Sequence, residues 1–533
     1  MRAAAASVRR GLVARARYES YCRHVEPLLS QAPRAHLFGA VPVVGDARTR
    51  AESMAVCVDP CGPGRAGATR ASIERQTMRP AQIMEMPVGR ALHETRASWL
   101  VVLGSGTRLA ERALERLGQA ATLAAGVQVI TGDDDLRDPA GRRASPRLRP
   151  GPSPDLWLDS APDFALLAVA REPALAALEQ AGGDPYAFFL QLSGPDAAGH
   201  AHVPMVLCHG KGGRGRGATG GGGRAVTRAL AAWEPRARVE SLRADRWRVR
   251  RPAPAEPAVE VIVCFRDRPE LVERCVRSLL ERSSYGRLAV RMIDNGSSDP
   301  DTAPLLERLG RDGRVLVETD ARRFNFSALN NAAAERSDAD VLVFLNNDTE
   351  VIDPDWIEVL VEHALRPEVG AVAPLLTYPD GRVQHAGVAI GIHGWAGHPF
   401  AGLGPDEPTP FGAATDGTRN WMAVTAACMM VERRKFAEVG GFDESFAVAG
   451  GDVDLGLRLT AAGYRSLCVP HTRVIHDESA TRDPAAVPPG DFDASRRGYG
   501  AFRTVGDPFY NPALTLLDTT CRLRRRGEPG PSR

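Results

Sequence analysis

Val341-Leu342-Val343-Phe344-Leu345-Asn346-Asn347-Asp348-Thr349-Glu350 sets five apolar residues in a row against an abrupt ending of amides and a carboxylate. A short apolar run bounded by turn formers reads as a strand buried on both faces of a parallel sheet. Its ending places a carboxylate at the carboxyl edge of that sheet, where open α/β folds hold ligands. Working upstream, Val259–Phe265 reads as a strand, Pro269–Arg282 as an amphipathic helix, and Leu288–Ile293 as a strand closing on Asp294-Asn295-Gly296-Ser297. A helix near Thr302–Leu309, a strand at Arg314–Glu318 and a helix through Ala328–Glu335 complete the approach to Val341. Strands alternating with helices at this pitch predict a mainly parallel sheet. Downstream lie three polar clusters: Gly440-Gly441-Phe442-Asp443-Glu444, Gly451-Asp452-Val453-Asp454-Leu455, and His476.

At 533 residues the chain is too long for one core, so two or three domains are expected. A hydrophobic content of 44% with 25% charged residues is that of a soluble globular protein, and a net charge of +2 gives no reason to expect nucleic acid as a partner. Lys211 and Lys435 are the only lysines, so arginine carries nearly all the positive charge, a bias of composition and not of function. Nine scattered cysteines make no disulfide framework, and Cys57 and Cys61 lack partners at zinc spacing. No run reaches the roughly 18 apolar residues of a membrane span. The Arg- and Ala-rich first twenty residues lack a signal-peptide core. They read either as a solvated helix or as an amphipathic helix making peripheral contact with an anionic membrane. The expected location is therefore cytoplasmic, with the inner face of the plasma membrane as the alternative.

Composition divides the chain into an N-terminal helical segment (1–48), an α/β domain (49–209), a Gly/Arg-rich loop, helix and Pro-rich linker (210–257), a second α/β domain (258–520) and a basic tail (521–533). The first domain repeats the order of the second. Ser53–Val58 and Trp99–Leu103 read as strands, Ala71–Gln76 and Leu109–Ala121 as helices, and Val127–Ile130 runs into Asp133-Asp134-Asp135, which reads as a turn. That recurrence predicts an internal duplication.

From Val259 to about Leu517 the chain resembles family 2 glycosyltransferases of the GT-A fold, above all bacterial enzymes of O-antigen, capsule and rhamnan assembly. The resemblance rests on an ordered set: Phe265-Arg266-Asp267-Arg268-Pro269, Asp294-Asn295-Gly296-Ser297, Asn325-Phe326-Ser327-Ala328-Leu329-Asn330-Asn331, Leu345-Asn346-Asn347-Asp348-Thr349, Gln384-His385-Ala386-Gly387, Gly441-Phe442-Asp443-Glu444, Asp452-Val453-Asp454-Leu455 and His476-Asp477-Glu478-Ser479. It implies transfer of a sugar from a nucleotide-diphosphate sugar to a glycan or lipid-linked glycan acceptor. It also implies two tandem Rossmann-like domains, the first degenerate.

Further roles follow from the same likeness. Asp348 matches the last acidic position of the Asp-x-Asp motif, and with His476 it would hold Mn²⁺ or Mg²⁺ at the donor diphosphate. Phe265, Asp267, Asp294, Asn330, Asn346 and Asn347 fall at positions that serve the donor nucleotide. Asp452 matches the general base that takes the proton of the acceptor hydroxyl, which implies inversion at the anomeric carbon. Trp421, Asp454 and Glu478 are expected to support the acceptor side. His385 and His398 sit in recognisable segments. Two departures stand out: Cys264 replaces a usual Pro, and Gly451 precedes the base where relatives carry Glu or Asn.

After Trp99–Leu103 the first half has Gly104-Ser105-Gly106-Thr107 in place of the acidic motif, so it is expected to do no chemistry. Two rival readings remain. A nucleotidyltransferase would carry a Gly-rich basic loop after its first strand, which Phe265–Pro269 lacks. A non-catalytic carbohydrate-binding or scaffold protein would not need Asp348, Asp452 and His476 together.

Overall fold

A computed structural model describes residues 17–26, 53–60, 66–123, 126–138, 140–161, 164–211, 222–243, 245–253, 255–478 and 487–530. The start of the N-terminal segment (1–16), the centre of the Gly/Arg-rich loop (212–221), Cys61 and Ser479 lie outside the described residues. Contacts group the chain into two compact units. One comprises Met1–Val249, Pro408–Gly412 and Thr504–Arg533; the other comprises Arg250–Glu407 and Ala413–Arg503.

The second unit is built on a ten-stranded sheet. Strands β1 (Val259–Phe265), β2 (Leu288–Asp294), β3 (Val315–Thr319) and β4 (Val341–Asn346) alternate with helices α1 (Pro269–Arg282), α2 (Thr302–Leu309) and α3 (Phe326–Glu335). The strands pair in parallel in the order β3-β2-β1-β4. Pro269 starts α1 where a missing N–H costs nothing, and Leu271, Cys275 and Leu279 line its buried face at fourfold spacing. Helix α3 starts two residues earlier than expected because the Asn325 side chain accepts from the Ala328 N–H at 2.9 Å and caps it there. The chain continues through β5 (Thr349–Val351), β6 (Val369–Thr377), β7 (Arg419–Trp421), β8 (Cys428–Glu432), α4 (Gly451–Ala461), β9 (Arg465–His476) and α5 (Pro489–Val505). The whole path runs β3-β2-β1-β4-β8-β6-β9-β5. Val341, Leu342, Val343 and Phe344 are fully buried at its centre, which is why that stretch tolerates no polar residue before Asn346.

The first unit has an eight-stranded sheet: seven strands run in the order Gln82–Glu85, Met54–Asp59, Trp99–Gly104, Leu166–Ala170, Val129–Arg137, His200–Lys211, Arg108–Leu109, and Arg143–Arg147 pairs with Val129–Arg137 off that path. Strand for strand this repeats β2-β1-β4-β8-β6-β9-β5, with the same parallel and antiparallel senses. The duplication is therefore topological as well as sequential. One expectation fails here: Asp133-Asp134-Asp135 forms no turn. All three are buried inside strand Val129–Arg137. Neighbouring Arg and His side chains answer their charge, and that lets an acidic run enter a strand.

Candidate active site

The polar ending of β4 meets the end of β9. Thr349 pairs with His476, and the backbone carbonyl of Asp348 accepts from the Asp477 N–H at 2.9 Å. This brings the Asp348 carboxylate and the His476 ring together: Oδ1 and Nε2 are 3.2 Å apart, and Asn346 Nδ2 lies 3.3 Å from the same nitrogen. Both side chains are buried, yet Asp348 Oδ1 receives no aligned hydrogen bond, and neither His476 Nδ1 nor Asn347 Nδ2 has a partner. A buried carboxylate oxygen left in that state is costly. A carboxylate oxygen and an imidazole nitrogen are donor types that suit a hard or borderline divalent ion. Among the described residues no group of three His, Cys, Asp or Glu side chains gathers as a metal cluster.

Asp452 opens helix α4. Gly450, with φ of 92°, turns the chain into the helix, and a Cβ on Gly451 would lie 3.0 Å from Ser327 Oγ and 3.3 Å from Phe446 Cβ. A larger side chain there would press on both neighbours, so the small residue fits the space. Asp452 Oδ2 accepts from the Ala426 N–H at 3.1 Å and Oδ1 from the Val453 N–H at 2.9 Å. Each oxygen keeps a further lone pair. The loop before the helix is held by Asp491 on α5, whose carboxylate accepts from the N–H groups of Ala447, Val448 and Ala449 at 2.8–3.0 Å. Tyr499 adds a bond from its hydroxyl to the Gly450 carbonyl at 2.7 Å.

Asn346, His476, Asp452 and Glu478 share one cavity of about 420 Å³ with Thr425, Ala426 and Ala427. Glu478 is oriented there by Tyr378, whose hydroxyl donates to it at 2.9 Å. The other residues singled out in the sequence stand apart. Asp294 caps its own turn by accepting from the Ser297 N–H. The N–H groups of Asp299 and Ser298 lower the Asp267 carboxyl below its ordinary value. These two carboxylates flank the edge where Phe265 pairs with Asp294; Phe265 itself packs in the core. Asn330 is buried within α3, bonding to the Phe326 carbonyl. Asp454 turns to Arg458 Nε at 2.8 Å. Trp421 is buried on β7 beneath Gly387, whose backbone approaches so closely that a Cβ would sit 2.2 Å from the indole.

His385 and His398 form a buried pair with Nδ1 atoms 2.8 Å apart, and His398 reaches the cavity. Burial pulls the pKa of both below the ordinary imidazole value. Sequence reasoning missed Trp395, Asp491, Phe492 and Tyr499, and quoted Gln384 only as part of a motif, without a role. The recurrence of Phe492, Ser495 and Tyr499 at i, i+3 and i+7 is the signal that marks them as one helix face.

Residues 260–439 match the family model "Glycosyl transferase family 2". The N-acetylglucosaminyl-diphospho-decaprenol L-rhamnosyltransferase of Mycobacterium tuberculosis is 31% identical over 253 residues, 42% of this chain and 78% of that protein. The chain belongs to glycosyl transferase family 2. The O-antigen biosynthesis protein RfbC of Myxococcus xanthus is 41% identical over 458 residues, 82% of this chain but 35% of that protein, so the chain spans about a third of that relative's length. Among solved structures, a mannosyltransferase from Pyrobaculum calidifontis in complex with GDP-Man and Mn²⁺ is similar at 18% identity and a TM-score of 0.32, over 47% of this chain and 61% of that one. Among the described residues no helix is long and apolar enough to cross a membrane.

Proposed function

We propose that the second unit transfers a sugar from a nucleotide-diphosphate sugar to a hydroxyl of a glycan acceptor, free or lipid-linked, with inversion at the anomeric carbon. The observation that carries this reading is Asp348 Oδ1, buried without a hydrogen bond beside His476, which lines the same cavity as Asp452. Asp348 and His476 would hold Mn²⁺ or Mg²⁺, with the Asn346 amide beside the same imidazole nitrogen. When bound, the cation supplies charge neutralisation at the diphosphate leaving group.

Asp452 is fixed by two backbone N–H groups and takes the proton from the acceptor hydroxyl with its remaining lone pairs. Attack assisted from the acceptor side, away from the departing diphosphate, inverts the anomeric centre. Asp294 and Asp267 are offered for the nucleotide base and ribose. The names of the relatives support cell-surface polysaccharide as the destination of the sugar. The first unit does no chemistry in this reading.

The test is incubation with a panel of nucleotide sugars and Mn²⁺, with and without chelator. Release of nucleoside diphosphate that requires the metal is the expected result. Pyrophosphate release would mark nucleotidyl transfer instead. Carbohydrate binding without release of either would mark a non-catalytic protein.

A further inference from the structure

Trp421 was the expected aromatic contact for an acceptor, and it is buried away from the cavity. Other aromatic side chains reach it. Trp395 and Phe492 both line the cavity and form a pair, with ring centroids 5.1 Å apart and planes at 55°. Phe492 is 38% exposed, among the few large apolar side chains left in solvent within the described residues. A lone exposed Phe needs no explanation; this one shares a cavity with the candidate base.

Its neighbour is deliberately presented. The turn leading to Trp395 includes His393 with φ of 54°, a left-handed conformation that a side-chain-bearing residue adopts at a cost. Arg496 lies 5.6 Å from the Trp395 ring centroid and steadies it. The same helix α5 is locked to the loop before Asp452 through Asp491 and Tyr499. The aromatic pair and the candidate base are therefore parts of one rigid assembly.

We propose that Trp395 and Phe492 form the acceptor subsite, a platform for the C–H face of a pyranose ring whose hydroxyls meet Asp452, Gln384 and Ser495. This rests on the glycosyltransferase reading above and names the part of the acceptor that the site grips. A sugar fits better than a lipid chain because the same cavity is lined by Gln384, His398, Asp452, Glu478 and Ser495. An acyl or prenyl chain would desolvate those polar groups without partners, whereas a sugar offers an apolar C–H face to the two aromatic rings and hydroxyls at its rim.

The test is saturation-transfer NMR of the full chain with methyl glycosides of hexoses, 6-deoxyhexoses and N-acetylhexosamines. At least one should bind, with contact strongest at ring C–H protons. Phe492→Ala and Trp395→Ala should weaken it by about tenfold, the scale of one lost aromatic contact, and Trp395→Phe should recover most of the loss. Phe492→Ala removes an exposed side chain, so an unchanged melting midpoint certifies its fold. Three results overturn the subsite: no glycoside bound by the wild-type chain, binding unaffected by both alanine variants, or affinity that follows alkyl length from methyl to octyl whatever the sugar. Metal-dependent nucleotide release reports on the donor reading and glycoside binding on the subsite, so either fails without the other.

Discussion

Each unit has its own sheet, the two follow the same strand order, and they differ at the register position that carries the carboxylate. In the second, Thr349 pairs with His476 and the residue before that strand is Asp348; in the first, Arg108 pairs with His209 and the residue before is Thr107. The first unit has kept the histidine and lost the carboxylate. Its histidine has found another partner, since His209 Nδ1 lies 2.6 Å from Asp135 Oδ1. Asp135 Oδ2 takes Arg143 Nε at 2.5 Å as well as the Tyr18 hydroxyl, and Arg143 continues to Glu26. Burial pushes the Asp135 carboxyl up, but the bond from His209 and the Arg143 charge outweigh it and hold it below the ordinary value. Asp133 is satisfied by His202, the Arg149 N–H and Asn511, and Asp134 by Arg147 and Arg149. Every carboxylate oxygen of the first unit's acidic run receives a hydrogen bond from within the protein, whereas Asp348 Oδ1, though 3.2 Å from His476 Nε2, receives none. A buried acid with its charge answered is structure; one left open is poised for a ligand.

That contrast predicts opposite consequences for the same substitution. Asp348→Ala should abolish transfer and remove metal-dependent nucleotide binding, measured by calorimetry, while leaving the melting midpoint unchanged or higher. A mutant with wild-type metal-dependent affinity would place the cation elsewhere. Asp452→Asn keeps the shape and an acceptor for the Ala426 N–H but removes basicity. It should lower turnover by about 10²–10⁴-fold with donor affinity spared, and an NMR assignment of the product anomer checks inversion alongside. Asp135→Ala should do the reverse. Arg143 keeps Glu26, but the buried His209 and Tyr18 lose their carboxylate partner, which costs about 1–3 kcal/mol, read by denaturant unfolding, with nucleotide binding by the folded fraction intact. Lost nucleotide binding with undiminished stability would make the first unit's acids functional.

Much of this was legible before any coordinates. Each strand from Val259 to Asn346 is an apolar run closed by polar residues, so the parallel half of the sheet and its polar carboxyl edge could be read directly. The side of the cavity built by α5 and Trp395 could not. Helix α5 carries Gly490, Gly498 and Gly500 in a mixed sequence with weak helical preference, and Trp395 sits beyond a loop with no periodic signal. The grouping of Pro408–Gly412 and Thr504–Arg533 with the first unit was equally hidden. It depends on contacts such as Leu148 N–H to the Pro410 carbonyl and Asn511 to Asp133, which span hundreds of residues. A cut near Pro252 would part the first unit from segments of its own core, so point variants separate the units more cleanly than truncation.

The finest test of the comparison lies two residues from the base. Asp454 and Asp452 share the first turn of α4, and either is a carboxylate at a helix N-terminus, where the macrodipole favours negative charge. Their partners distinguish them. Asp452 accepts only backbone N–H groups and faces the cavity, while Asp454 pairs with Arg458 one turn along, and Arg458 donates onward to the Val439 carbonyl at 2.5 Å. Asp454 thus follows the pattern of the first unit, a carboxylate answered by an arginine. The pair is partly exposed, so its contribution is that of an i,i+4 bridge, about 0.3–0.5 kcal/mol. Asp454→Asn retains an oxygen for Arg458 and should lower the melting midpoint by only about 1 °C. Turnover should stay within about twofold of wild type, the rate equivalent of that energy. If Asp454→Asn is inactive while Asp452→Asn turns over normally, the base has been assigned to the wrong residue, and an arginine-paired carboxylate can no longer be read as structural.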